Sequence, residues 1–408
     1  MMPSSLRIAH VQPIAFDLFG HKDEDWGTAV RYFLPNIAAA QVVHGDRPTV
    51  HLLTSGRPKH MNVDGVEIHF HSCVQLPRSY PVTARFGRQL SMSMVSALRR
   101  EEADIIHFHG ACSLHAMYSA VAWRAKHQRI PLVSQDHGPR RGKWLEDCLL
   151  RYGFRNTHVL LAANHESQNA LQRLDAMHTP VYIQPNGYDP KLYYPKAGTQ
   201  RTPEAMFSIL VVSRLWEDKD PITMARGIST LANRHRNIQL TVIGQGLLRR
   251  EVGNELRGAS LRVNFIDHVS QEDLADYYRA SDVFVLTSLR EGWNQATMEA
   301  MACGLPVVAT DIPGIRDGLA DAGMLIPTQR PDLLADALER LLLRPEEGMR
   351  YRELGLLRSA MFTWHSVTQA LREVYRHCID AESCKNSSFT SHQYTDQSTS
   401  SRAQPVSF

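Results

Sequence analysis

The 408 residues carry 43% hydrophobic and 21% charged side chains with a formal net charge of +3. That is more chain than one core organises, so two domains of ordinary composition are expected. Charge this near neutral gives no footing for a nucleic-acid binder. The composition excludes a largely disordered or fibrous chain, and no apolar run approaches the roughly 20 residues needed to cross a bilayer. Met1 to Arg7 leads into a strand-like run without a secretory h-region, and the six cysteines (Cys73, Cys112, Cys148, Cys303, Cys378, Cys384) are scattered without a Cys-x-x-Cys pair. A reducing, cytoplasmic setting is the expectation.

Short branched apolar runs separated by helical patterns fill the first half. The strands are expected at Leu6 to Val11, Thr49 to Leu53, Val66 to Phe70, Asp104 to Phe108, Pro131 to Ser134 and Val159 to Ala163, with helices such as Ala29 to Val42 and Leu114 to His127 between them. This alternation predicts a parallel sheet covered on both faces. A second series follows at Phe207 to Val212, Leu240 to Gly244, Val263 to Ile266, Val283 to Thr287 and Pro306 to Thr310, with helices at Asp220 to Arg234 and Gln271 to Ala280. Pro185 to Pro203 reads as the linker. The expected division is a first α/β domain over 1–190, a second over 191–364, a helix over 365–380 and a disordered tail over 381–408. The first domain is mildly basic, with Arg78, Arg85, Arg88, Arg99 and Arg100 in one cluster. A solvated face is the plain reading; docking onto an anionic membrane or a phosphorylated acceptor is the sharper one.

The most informative stretch runs from Leu289 to Thr310. A strand ends near Thr287, Gly292 permits close backbone approach to a ligand, a helix opens near Asn294 or Gln295, and Gly304 suits a helix end. A strand–loop–helix of this kind presents backbone N–H groups at the carboxyl edge of a parallel sheet, where open α/β sheets bind ligands. Glu291 and Glu299 add two carboxylates at that crevice, suited to accepting hydrogen bonds from sugar hydroxyls. Alone, two glutamates at this spacing are more often ordinary surface groups. Val211 to Pro221 likewise follows a strand and opens a helix, placing Arg214 and Lys219 where they could neutralise a diphosphate. In the first half, Asp104 to Gly110 and Ser134 to Gly138 each end a strand with a histidine beside glycine. His107 and His109 are expected on opposite sides of their strand, with His109 toward the crevice.

Glu291 to Glu299 resembles the Glu-x7-Glu motif of the family 4 glycosyltransferases, and Glu299-Ala-Met-Ala-Cys-Gly-Leu-Pro-Val-Val-Ala-Thr310 is similar to its continuation. The resemblance implies the GT-B architecture, two Rossmann-like α/β domains facing across a cleft. It also implies a retaining, metal-independent transfer of a hexose-type sugar from a nucleoside-diphosphate sugar to a sugar, lipid or small-molecule acceptor. The nucleotide sugar would be a co-substrate, with no cofactor besides it. Carried over by residue, Glu291 and the Gly292-Trp293-Asn294 loop would meet the donor sugar and Glu299 the ribose. Arg214 and Lys219 would hold the diphosphate, Gly244 would lie near the nucleotide, and His109 would contact the donor sugar. His137 matches a second recurrent position. The sequence departs from the pattern at Ser213 and Asp220, which stand where glycines are usual. It departs again at the first loop, where only Gly27 is well placed on the acceptor side. Asn186-Gly187-Tyr188-Asp189 resembles the interdomain turn, and Phe362 to Tyr375 the helix that returns to the first domain.

Two metal readings are set aside. Asp218-Lys219-Asp220 is an Asp-x-Asp triplet inside the phosphate-loop segment, and zinc on His107, His109, His115 and His137 is disfavoured because strand alternation is taken to separate the first pair. The competing functions are a nucleotide-sugar epimerase or hydrolase of the same fold, and an inactive nucleotide-sugar-binding protein. A soluble cytoplasmic protein touching the membrane only peripherally, and no nucleic acid, completes the expectation.

Overall fold

A computed structural model describes residues 5–15, 33–75, 89–111, 115–136, 144–174, 179–196 and 206–388. Its first unit holds strands β1 (Arg7–Ala15), β2 (Arg47–Thr54), β3 (Lys59–Val63), β4 (Val66–Ser72), β5 (Val74–Gln75), β6 (Gln89–Leu90), β7 (Ile105–His109), β8 (Leu132–Gln135), β9 (Val159–Ala162) and β10 (Val181–Ile183). Helices α1 (Phe33–Val43), α2 (Met92–Arg100), α3 (His115–Gln128), α4 (Trp144–Phe154) and α5 (His165–Leu174) accompany them. The sheet order is β10-β9-β8-β7-β1-β2-β4-β3, and β3 alone runs antiparallel to its neighbour in that sheet. The strand order reverses between β1 and β7, so ligands of such a sheet are received at the carboxyl ends of those two strands.

The second unit holds β11 (Phe207–Val212), β12 (Ile238–Ile243), β13 (Leu261–Ile266), β14 (Val283–Leu286), β15 (Val307–Thr310) and β16 (Met324–Ile326). Around them lie α6 (Pro221–Arg234), α7 (Arg249–Glu255), α8 (Gln271–Ala280), α9 (Gln295–Ala302), α10 (Pro313–Leu319), α11 (Pro331–Leu343) and α12 (Pro345–Ser359). This sheet is fully parallel in the order β13-β12-β11-β14-β15-β16, the doubly wound arrangement with its switch point between β11 and β14. The chain forms it because β14 and β15 are continuous apolar runs buried on both faces, as a helix-covered parallel sheet requires. The helices carry their own start signals: the Ser270 side chain accepts from Asp273 N at 3.0 Å ahead of α8, and Pro221 occupies the first turn of α6. The two sheets and their facing helices match the GT-B architecture expected of the sequence.

The chain crosses between the units twice, and the two crossings pair with each other. Tyr188 N donates to Phe362 O at 2.9 Å, Trp364 N donates to Tyr188 O at 3.1 Å, and Tyr188 bridges Thr363. A Cβ at Gly187 would lie 2.7 Å from Trp364 N and 2.8 Å from its Cα. Gly187→Ala is therefore expected to cost about 1–3 kcal/mol, read as a lowered Tm. Gly253→Ala, with open space around its Cβ, should leave Tm unchanged or raised. Equal Tm values for the two variants would show that the crossing is not tightly packed.

The last helix, α13 (Trp364–Ser388), buries Trp364, Leu371, Tyr375 and Cys378 against Leu6, Ile8, Ile105 and Val133 of the first sheet. It corrects the expected boundary, since it runs eight residues past Asp380 into the segment read as a disordered tail. The apolar docking on the first sheet ends before that segment, and Glu382 is its contact to the first unit among the described residues. Glu382 meets His158 Nε2 at 3.0 Å, near the helix's far end. Residues 389–408 lie outside the described residues. Among the described residues no helix is long and apolar enough to cross a membrane. Arg99 and Arg100 of the basic cluster are exposed, in agreement with a solvated face; Arg78, Arg85 and Arg88 lie outside the described residues.

Candidate active site

Two loops meet at the switch point of the second sheet. One, Ser213 to Asp220, follows β11; the other, Thr287 to Asn294, follows β14. Their main chains are tied: Leu289 N donates to Asp218 O at 2.9 Å, and the Thr287 hydroxyl donates to Asp220 O at 2.9 Å. Asp220 has φ 43° and ψ 54°, a left-handed conformation that explains why glycine is usual there. Aspartate is among the few side chains that tolerate it, and here it also caps α6 by accepting from Thr223 N at 3.3 Å.

Lys219 Nζ lies 2.8 Å from Glu291 Oε1 and 3.5 Å from Asp218 Oδ2, with the Lys219 and Glu291 side chains only 13% and 11% exposed. Ser288 Oγ donates to the same Glu291 oxygen at 2.7 Å and Asn294 Nδ2 at 3.1 Å. Three donors therefore converge on Oε1. Asn294 also caps α9, its side chain accepting from Thr297 N at 2.9 Å. Glu299 follows in that helix, 5% exposed, with the Tyr278 hydroxyl donating to its Oε2 at 3.1 Å.

A cleft of about 890 Å³ opens beside these loops, with Arg214, Gly244, Asn294, Gln295, Ala296 and Glu299 in its wall. The Ile243 to Gly246 turn packs directly on the β11 loop. Gly244 has φ 142°, and a Cβ on it would lie 2.1 Å from Ser213 O; Gly246 is equally close to Leu215 O. No side chain fits either position. Asp267, His268 and Val269, just past β13, also line the cleft. They carry no motif, and only their place after a strand at the carboxyl edge marked them. The facing unit reaches the same loops: Asn164, just past β9, donates its side-chain amide to Gly292 O at 2.7 Å, and His165 N donates to Asp317 Oδ2 at 2.7 Å. The carboxyl edges of the two sheets therefore confront each other.

Residues 33–192 match the family model described as Glycosyltransferase Family 4, and residues 207–344 match the one described as Glycosyl transferases group 1. The chain belongs to the family 4 glycosyltransferases. Its relatives in the family include a D-inositol 3-phosphate glycosyltransferase of Corynebacterium jeikeium (strain K411), 30% identical over 53% of this chain and 56% of that protein. The corresponding match to the Corynebacterium urealyticum protein of the same name covers 42% of it, so the similarity spans about half the length of these relatives. An N-acetyl-alpha-D-glucosaminyl L-malate synthase of Bacillus anthracis is 24% identical over 74% of this chain and 83% of that protein. In fold, the chain is similar to the sucrose-phosphate synthase of Thermosynechococcus elongatus (TM-score 0.69, 18% identity, 92% of this chain and 100% of that one). It is also similar to Anabaena HepE in complex with UDP-glucose (TM-score 0.64, 16% identity, 91% and 100%).

Within this family 4 chain the expected site residues fall into distinct places. Arg214, Gly244, Asn294 and Glu299 line the cleft, while Lys219, Glu291 and Gly292 sit on the loops beside it. The Trp293 ring is directed away from the cleft, packing edge-on against Phe362 with centroids 5.0 Å apart and lying over Gly318. His109 ends β7 at the switch point of the first sheet, but its ring is fully buried. It stacks on His107 with centroids 4.0 Å apart. This corrects the expectation that the two rings face opposite sides: residues two apart on a strand share a face. The argument that separated them against a zinc site falls with it, and a third histidine, His10, joins them from the neighbouring strand. The His115 side chain, His137 and Gly27 lie outside what the structure describes.

Proposed function

We propose that this chain transfers a hexose-type sugar from a nucleoside-diphosphate sugar to an acceptor hydroxyl, with retention of anomeric configuration and without an essential divalent metal. The observation that carries this reading is the Lys219–Glu291 pair beside a cleft walled by Arg214 and Glu299. A base and ribose would occupy the cleft, with Glu299 accepting from the ribose hydroxyls. Arg214, Lys219 and the first amides of α9 would neutralise the departing diphosphate, the task a magnesium ion performs at other phosphoryl sites. Glu291 would accept from a donor-sugar hydroxyl through Oε2. The end of β7 at His109 would face the same sugar from across the cleft, with the main chain nearest to it.

Retention follows best from a front-face substitution in which the departing phosphate takes the acceptor proton, since Glu291 is held by three donors on the nucleotide side. Solved neighbours carry UDP, or UDP-glucose, which makes a UDP-sugar the first donor to test. The relatives' names contain small anions, D-inositol 3-phosphate and L-malate, and the mildly basic first domain suits an acceptor of that kind. Docking of the basic face on an anionic membrane belongs to the same reading.

The direct test is UDP release from UDP-sugars with candidate acceptors, with the product anomer assigned by NMR. An inverted linkage, or loss of activity on chelation with recovery on adding magnesium, would overturn the proposal. Glu299→Ala should weaken binding of UDP and UDP-sugar alike by about tenfold or more, since a charge-assisted hydrogen bond contributes about 1.5–3 kcal/mol. Unchanged UDP affinity in the folded variant would remove the ribose role.

A further inference from the structure

Behind the end of β7 lies a buried chain of hydrogen bonds that reaches from the first sheet into α1. His109 Nε2 is 3.0 Å from His10 Nδ1 on the neighbouring strand, and His10 Nε2 is 2.7 Å from Gln41 Oε1 on α1. His10, Gln41 and His109 are all fully buried. Burial pushes the His10 imidazole down to about 4, so it is neutral near pH 7 and carries one proton. Gln41 Oε1 is a carbonyl oxygen and only accepts, which places that proton on His10 Nε2. His10 Nδ1 is then an acceptor, and the 3.0 Å contact requires the proton on His109 Nε2. Tyr375 supports the same layer: its hydroxyl, held protonated by burial, meets His107 Nδ1 at 2.6 Å.

We propose that His10 and Gln41 are positioning residues for sugar transfer: they lock the His109 ring in its Nε2–H tautomer and so hold the His109–Gly110 main chain against the donor sugar. This rests on the proposed function for the place of His109 in the cleft. Gly110, with φ 82°, turns the chain immediately after His109, and its N–H donates to Gln135 O at 2.8 Å. The main chain at the strand end is therefore held from two sides, by the ring below and by β8 beside it. The three histidines also satisfy the simplest requirement for a metal site, ligand atoms close together. The 3.0 Å contact favours a hydrogen bond in its place. Two nitrogen ligands of a tetrahedral zinc at about 2.0–2.1 Å lie about 3.3–3.4 Å apart, whereas 3.0 Å is the ordinary length of an N–H···N bond.

The test combines nitrogen spectra with a mutant cycle. In protein labelled with 15N-histidine, His109, assigned through His109→Ala, is expected as the Nε2–H tautomer, and Gln41→Leu should move it toward a mixture. An Nδ1–H tautomer in the wild type, or a His109 signal untouched by Gln41→Leu, would overturn the relay. So would stoichiometric metal in the purified protein that His10→Ala releases. In UDP release from UDP-glucose, Gln41→Leu and His10→Asn should each lower turnover by about tenfold and leave UDP affinity within about twofold. Gln41→Glu, which keeps an acceptor for His10, should retain more turnover than Gln41→Leu. A packing role alone predicts the reverse order, because leucine is the apolar isostere. In a His109→Ala background Gln41→Leu should have no further effect, and additive losses would refute action through His109. If the wild type binds UDP but releases none from UDP-glucose, the transfer reading with that donor fails, while the nitrogen spectra still decide the relay.

Discussion

Arg214→Ala/Lys219→Ala is expected to lower transfer at saturating donor by about 10²–10³-fold or more, the scale seen when donors aimed at developing charge are removed. The two cations are placed differently. The Arg214 side chain is 68% exposed in the wall of the cleft, with Asp218 Oδ2 3.7 Å away, so it can swing onto a ligand. Lys219 is held between Asp218 and Glu291 on a loop whose main chain is tied to the β14 loop, so its charge is fixed in position. Negative charge on the diphosphate grows as the glycosidic bond breaks, and a fixed cation stabilises that growth without reorganising. The loss should therefore appear in kcat as well as in donor affinity. The single variants should differ: Arg214→Ala falls mainly on nucleotide affinity and Lys219→Ala mainly on turnover. Far-UV CD and Tm of the double variant check that the loop has not simply unfolded, since Lys219→Ala removes the counter-charge of a largely buried glutamate. Near wild-type turnover in the folded double variant would place the phosphate site elsewhere.

How far this site was legible depended on which signals were local. The β14–loop–α9 segment could be read directly, because its apolar run, its glycine, its Asn294 cap and its two glutamates all lie within some twenty residues. The α8 helix was equally plain, with a serine cap and acidic first turn ahead of an amphipathic run. The antiparallel edge strand β3 was not, since Lys59–Val63 is half exposed and its alternation rests on Met61 and Val63 alone, too few to stand out. The three-residue strands β10 and β16 are too short to hold any period. His10 could not be singled out either. A lone histidine in an apolar strand acquires meaning only from its neighbour across the sheet, and the pairing of His10 with His107 joins residues 97 apart. The error over His107 and His109 is of another kind, because the period of two needed to place both rings on one face was already in the sequence. The misread tail shows the limit of composition: α13, docked on the first sheet through Trp364, Leu371, Tyr375 and Cys378, runs on as helix into polar residues, with Glu382 meeting His158.

The glutamates of the Glu-x7-Glu pair should separate into two functions when each is changed. Glu299 stands in the cleft wall, and its loss is expected in nucleotide affinity. Glu291 lies on the loop beyond, and Glu291→Gln is expected to lower turnover by about 10²-fold while UDP affinity stays within about twofold. The amide keeps the volume of the carboxylate, and one oxygen can still accept from Ser288 and Asn294, so the loop should remain folded. Two things change. Lys219 loses the carboxylate 2.8 Å from its ammonium group, and the Oε2 position becomes an N–H donor facing where sugar hydroxyls would donate. Two donors brought together leave at least one hydrogen bond unmade, which costs about 1–3 kcal/mol in a dry site. That interaction belongs to the sugar, so free UDP should not sense it, whereas UDP-glucose should. The comparison of UDP with UDP-glucose in one titration series reads the difference. A Glu291→Gln protein that loses UDP affinity to the same degree as Glu299→Ala would show that both carboxylates serve the nucleotide, and the sugar contact would then have to be sought elsewhere.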